Sequence, residues 1–240
     1  MKLTYSYRAL TDWGDVLRGQ SFIDILESAG LKVEGVDGKE PIKKEFKAGA
    51  LSEHWAGRGL PGQHSTCYFL FKGQGKCKFS GMVTWHRDLP EESTYFNSLN
   101  VWLSIGKSRP DPVWFLDLGD RLFGWSQAYY GFISLDTLYD PLHRPAAKRL
   151  FIPKLFWANY FGQDYLSCSD FRLPVPAADL PTGKRMVLGS SFDDPCLADE
   201  TYLSSVAEEI GLGWFGEGNA DEYRIPDLDF ALLWRSGRSL

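Results

Sequence analysis

The sequence predicts an α+β fold: one domain over residues 1–240, with an antiparallel β-sheet packed with three or four helices. Three observations predict it. Phe69 and Phe71, then Phe79, Val83 and Trp85, sit on strand-like runs either side of a KGQGK turn, and Asn97–Ile105 continues them as a meander. Helical periodicity is confined to stretches near 21–30, 115–131 and 198–210, and it does not alternate with strands as in a β–α–β chain. Finally, 44% apolar residues can fill a sizeable core, and a 15% aromatic share favours a sheet over a plain helical bundle.

Each element has its own local signal. Tyr5 and Tyr7 alternate with smaller or polar neighbours in TYSYRAL, a strand. In Ser21–Gly30, Phe22, Ile25, Leu26 and Ala29 share a helical face; Ser21 and Asp24 have capping-box spacing, and Gly30 suits the stop. Leu31–Val36 is a strand ending at the Asp37-Gly38 turn. Residues 39–64 change character, with GKEPIKKEFK a basic edge and AGRGLPGQ a loop. A hairpin turn centred on Gln74 sets Cys77 opposite Phe71 and Cys67 opposite Gly81.

Arg109-Pro110-Asp111-Pro112 is a turn. Leu116, Phe123 and Tyr130 then recur every seven residues, so a helix is expected over 115–131, weakened by Gly119 and Gly124. A proline-containing stretch (141–153) and the aromatic segment Leu155–Leu166 follow. Lys184–Gly189 is a strand and Asp193-Asp194-Pro195 a turn. Residues 198–210 form a helix with Tyr202, Leu203, Val206, Ala207 and Ile210 on one face and Gly211 at its close. GLGWFGEGNADEY is a Gly-rich acidic loop, and a short terminal segment carries Leu228, Phe230, Leu232 and Trp234.

Charge is distributed unevenly. The chain has 26 basic and 31 acidic residues, a net −5. Residues 186–240 hold 11 acidic residues and three basic ones, a net −8, which leaves +3 for the rest. Phosphates would be repelled from that C-terminal quarter, so direct nucleic-acid binding there is not expected. A basic protein partner suits it, as does a merely solubilising surface. No run approaches the ~18 apolar residues of a membrane-spanning helix, and the N-terminus lacks a signal-like apolar run, so a cytoplasmic location is expected. The four cysteines form no CxxC pair, and the hairpin register separates Cys67 from Cys77, so reduced thiols are expected.

The search for catalytic chemistry is mostly negative. Gly106-Lys107-Ser108 lacks the upstream glycine of a phosphate loop, and GxSxG is absent. His64, Cys67, Cys77 and His86 would need to converge to hold a metal, which the hairpin register opposes. Asp88, Glu91 and Glu92 beside His86 read as a hydrolytic cluster or, equally, as a polar loop. Glu217–Asp229 lacks the ligand spacing of a calcium loop. What remains is Trp214 and Phe215 beside Glu217, Asp221 and Glu222. These are either aromatic anchors ringed by steering charges, or core residues with only the charges in water.

One pattern resembles a known family. Phe123, Gly124, Trp125, Tyr129 and Tyr130 come first. They are followed by Trp157-x-x-Tyr160-Phe161-Gly162, the strand at 186–188 with Phe192, and a helix ending in Ile210-Gly211-Leu212. This order resembles the immunity protein 52 family over roughly residues 5–215. Its members are bacterial cytoplasmic antitoxins, encoded beside toxins with a restriction-endonuclease-like fold that are often delivered by type VI secretion. The resemblance implies no enzymatic activity and no cofactor, only tight binding to a cognate nuclease. A nuclease holds nucleic acid with Lys and Arg, so Asp193, Asp194, Glu217, Asp221 and Glu222 are the expected contacts to that basic surface, with Trp214 and Phe215 as anchors. Binding would occlude the toxin's active site or an assembly surface. A small hydrolase centred on His86 and Asp88, and a secretion-system adaptor, are the rival readings; self-association is left open.

Overall fold

The computed structural model describes residues 1–47, 51–55, 65–87, 89, 93–106, 109–135, 150–217 and 219–231. The strands are β1 (Lys2–Ala9), β2 (Leu31–Asp37), β3 (Lys44–Glu45), β4 (Ser65–Gly75), β5 (Lys78–Arg87), β6 (Asn97–Ser104), β7 (Tyr130–Leu135), β8 (Ala158–Gly162), β9 (Ala177–Leu180) and β10 (Gly183–Val187). They form one sheet in the order β3-β2-β4-β5-β6-β1-β7-β8-β10-β9, and all neighbours are antiparallel. The helices are α1 (Val16–Ser28), α2 (Leu51–Trp55), α3 (Pro112–Ser126), α4 (Gln163–Leu166) and α5 (Glu200–Ile210). The α+β class read from the sequence is therefore the observed one. Among the described residues no helix is long and apolar enough to cross a membrane.

The first strand joins the two halves. β1 lies between β6 and β7, with Tyr5 opposite Val101 on one side and Ile133 on the other. Its inward face meets α3: the Tyr5 hydroxyl donates to the Phe115 carbonyl (3.1 Å) and the Tyr7 hydroxyl to that of Gly119 (2.9 Å). Helices α1 and α2 complete this layer through an aromatic cluster in which Trp55 stacks on Trp85 (5.2 Å) and packs against Phe22 and Phe69. On the opposite face, Phe156 stacks on Phe132 (4.0 Å), and Phe171 packs on Phe161 (5.1 Å). Residues after 150 thus cover the β7–β8 half from the other side.

Three local expectations are corrected. Helix α1 begins at Val16, not Ser21, because Asp15 caps it by accepting from the Leu17 N–H (2.9 Å). Helix α3 spans 112–126 rather than 115–131. Asp111 caps its start, and Gln127 closes it in the left-handed region (φ 49°), so Tyr129 and Tyr130 belong to the approach and start of β7. In the hairpin, Phe71 lies opposite Gly81 and Cys67 opposite Trp85, so the turn falls two residues later than the one centred on Gln74. The even displacement keeps every side chain on its expected face, and no disulfide joins the two cysteines.

Gly119 had counted against α3, and the packing accounts for it. A Cβ at that position would stand 2.3 Å from the Tyr160 hydroxyl oxygen and 2.8 Å from Ile133 Cδ1, both on the sheet. Alanine would raise helix propensity by ~1 kcal/mol, yet Gly119→Ala is expected to destabilise the fold by about 1–3 kcal/mol, because α3 must move off the sheet. Urea unfolding of the variant measures the sign. A stabilised variant would show that the contact between α3 and the sheet is loose.

Candidate functional site

The C-terminal layer stands on an aromatic base. Trp214 and Phe215 form a 3-10 turn (Leu212–Phe215) and are 3% and 4% exposed. Trp214 packs against Tyr165 (5.6 Å) and edge-on to Phe171 (5.3 Å), and its carbonyl accepts from the Ile152 N–H (3.0 Å). This corrects the expectation that Trp214 and Phe215 are exposed anchors: both lie in the core.

The carboxylates face outward from that base. Asp199 caps α5, accepting from the N–H groups of Thr201 (3.0 Å) and Tyr202 (3.1 Å); Val206 and Ile210 point inward. The segment beyond is pinned by the Arg224 N–H, which donates to the Gly213 carbonyl (3.0 Å), and by the Arg224–Asp170 ion pair (3.4 Å). Between Asp199 and Asp229 the sequence holds nine acidic residues and one basic residue, Arg224. All nine acids are exposed, and none of them forms an ion pair among the described residues. Glu217, Asp221 and Glu222 belong to this face. Tyr223 (37% exposed) and Ile225 (47%) stand beside them, and they are the exposed apolar groups on the acidic segment. Sequence reasoning missed Ile225 because Ile-Pro read only as the start of a terminal segment.

Asp193 and Asp194 have local duties. Asp193 pairs with Arg109 and accepts from the Ser191 hydroxyl (2.8 Å); these contacts lower its pKa. Asp194 uses both oxygens to build its turn, one accepting from the Cys196 N–H (3.0 Å) and the other from the Ser190 N–H and hydroxyl (both 2.8 Å). Those hydrogen bonds hold its carboxyl far below the usual range. The two residues therefore shape the entry to α5, whereas Glu217, Asp221 and Glu222 have no comparable structural task.

A groove lies on the same layer beside the sheet's last strand. It has a volume of about 460 Å³ and is walled by Leu166, Phe171, Leu173, Val175 and Ala177, with Lys184 as its one cation. The Lys184 ammonium sits 3.2 Å from Asp179 Oδ1.

The rival catalytic locus is only partly described. His86 is buried in β5; its Nδ1 is 3.2 Å from the Thr66 hydroxyl, and its backbone N–H donates to Asn97 Oδ1 (2.9 Å). Asp88, Glu91, Glu92, His64 and His143 lie outside the described residues, as do Lys107 and Ser108. Among the described residues no group of three or more His, Cys, Asp or Glu side chains is placed to hold a metal.

No protein-family model matches the sequence, and no curated protein does. A solved structure of the Pseudomonas aeruginosa T6SS protein PA0821 does match, with a TM-score of 0.53 over 98% of this chain and 81% of that one. What the two chains share is the fold. At 10% identity the likeness covers the architecture of nearly the whole chain and leaves the side chains of the acidic face unassigned.

Proposed function

We propose that this chain is an immunity protein of the immunity protein 52 kind. It binds a cognate nuclease effector of a type VI secretion system and neutralises it by occlusion, without catalysis of its own. The observation that carries this reading is the exposed run of nine carboxylates against one Arg, mounted on a buried aromatic base. A nuclease concentrates Lys and Arg where phosphates pass, so an exposed acidic face is complementary to it and speeds encounter. The aromatic and glycine order at 123–130, 157–162 and 186–212 supports the family reading. The fold likeness to a T6SS protein supports the secretion context.

The test is a native pull-down from the source cell, repeated at high salt. Recovery of one nuclease whose DNA cleavage stops on complex formation is the expected result, with weaker capture as salt rises. Recovery of a structural secretion component instead would favour an adaptor. With the nuclease in hand, the pair Asp221→Lys and Glu222→Lys is expected to slow association about tenfold or more at low salt, with little change in melting temperature. Stopped-flow association kinetics that match the unmodified chain would remove this segment from the interface.

A further inference from the structure

We infer that Tyr223–Asp229 is the part of the acidic face that grips the nuclease, with Tyr223 and Ile225 as its apolar anchors, an assignment that rests on the immunity reading. The surface it fits is a protein cleft with an apolar floor and a rim of Lys and Arg.

Exposure alternates along this segment. Tyr223, Ile225, Asp227 and Asp229 are exposed, whereas Pro226 and Leu228 are buried and Arg224 is bonded back to its own protein. Extended backbone sends successive side chains to opposite sides, so two apolar side chains and two carboxylates share one outward row. The apolar pair is unusual on this protein. The other large apolar side chains exposed among the described residues, Met1, Leu17, Tyr68, Tyr95 and Val113, stand far apart in sequence. Single exposed apolar residues are ordinary on any surface. An aromatic and an aliphatic residue side by side, with charge around them, have the composition of an interface hot spot and its polar rim.

Contacts behind the row fix its path. The Arg224 N–H donates to the Gly213 carbonyl (3.0 Å), and its Nε pairs with Asp170 (3.4 Å). Its Nη1 donates to the carbonyls of Tyr223 (3.0 Å) and Asp221 (3.3 Å). The Tyr223 ring packs edge-on against Phe151 (5.4 Å), and Phe151 lies close over Gly216, where a Cβ would come within 2.7 Å of the ring. Pro226 fixes its own φ and biases Ile225 toward extended backbone. A segment constrained in this way loses less conformational entropy on binding than a free tail.

Charge selects the partner. Glu217–Asp229 carries five acidic residues and one basic residue, Arg224. Asp170 and Arg172, on the stretch that holds Arg224, add one charge of each sign and leave the net at −4. The Arg224 guanidinium is already committed to Asp170 and two carbonyls, so it offers little to an incoming acid. A second copy of this face would be repelled, as would an anionic lipid or a nucleic acid. Lys and Arg opposite Asp227 and Asp229 would be held, with Tyr223 and Ile225 covered between them. The two exposed residues thus take the role expected of the buried Trp214 and Phe215.

The experiment follows binding of the cognate nuclease, defined as the protein whose DNA cleavage this chain arrests. It compares the wild-type chain with Tyr223→Ala plus Ile225→Ala and with the conservative pair Tyr223→Phe plus Ile225→Val. Both positions are exposed, and melting curves establish that each variant is folded. The alanine pair should dissociate about tenfold faster or more with little change in association rate, whereas the conservative pair should stay within about threefold of wild type. Hydroxyl-radical footprinting gives a reading that needs no substitution: oxidation of Tyr223 should fall severalfold when the nuclease binds. If the wild-type chain arrests a nuclease but the folded alanine pair dissociates at the wild-type rate and Tyr223 gains no protection, the anchor inference is overturned while the immunity reading stands. If no nuclease is arrested, that reading falls and the inference with it. Sedimentation showing a dimer of the chain alone, with Tyr223 protected in it, would make a second copy the occupant and overturn the inference.

Discussion

Truncation of Trp214 to alanine is expected to destabilise the fold by about 3–5 kcal/mol, the range for removing a buried aromatic that leaves a cavity. Its ring is 3% exposed and is shared between Tyr165 and Phe171, two residues that also line the layer beneath the acidic segment. Its carbonyl ties the same turn to Ile152. Loss of the ring removes the base on which Glu217, Asp221 and Glu222 are displayed, so nuclease binding should fall as a consequence of lost order. Urea unfolding, followed by the change in midpoint, separates this from an interface role. A variant that unfolds within about 1 kcal/mol of wild type but fails to bind would return Trp214 to the status of an anchor.

The second large effect lies on the opposite face of the sheet. Asp120 of α3 pairs with Arg185 of β10, with the two side chains 24% and 17% exposed, next to the Tyr7 and Tyr160 hydroxyls. Asp120→Ala leaves the guanidinium without its counter-ion in a partly buried site. About 2–4 kcal/mol should be lost, toward the lower part of the range for a buried pair because both groups keep some access to water. Replacing both residues, Asp120→Leu with Arg185→Met, should recover most of that loss, because no uncompensated charge remains. Strictly additive losses in the double-mutant cycle would show that the two residues act independently.

The same pair has a pH signature. Burial raises the Asp120 pKa above its ordinary value of 3.8, and Arg185 opposes the shift without cancelling it. The native state therefore binds this proton more tightly than the unfolded state does. By linkage, the contribution of Asp120 to stability falls as pH rises from 3.8 through its raised native value, the reverse of a typical salt-bridged aspartate. In Asp120→Asn that slope should vanish, and denaturation curves collected across the weakly acidic range measure it. An unchanged slope would mean that other carboxyls govern the acid limb.

Much of the architecture was legible locally. Alternation marked β1, β2, the β4–β5 hairpin and β6, and a single apolar face marked α5, because burying one face demands those periods. Boundaries were harder where an apolar residue serves the next element. Tyr130 continues the spacing of α3 yet is the first residue of β7, and only the left-handed turn at Gln127 separates them. Helix α1 starts five residues before the Ser21 read from its capping-box spacing, and that added turn contains Gly19. In the fold its missing Cβ admits the Trp55 ring, since a methyl there would stand 2.5 Å from Trp55 Cδ2. Helix α2 and the short edge strands β3 and β9 are too brief to carry a period.

The sequence by itself determined the α+β class and the acidic balance of the C-terminal quarter, because each follows from composition or from spacing within a few residues. Only the tertiary structure decided that β1 lies between β6 and β7, that Trp214 and Phe215 face inward, and that Asp193 and Asp194 are committed to a turn. The reason is range. Burial of Trp214 depends on Tyr165 and Phe171, more than forty residues earlier in the chain, and Asp193 is engaged by Arg109 across a still longer separation. An apolar or charged residue reads the same in sequence whether it meets water or a distant partner, and only the fold supplies that partner.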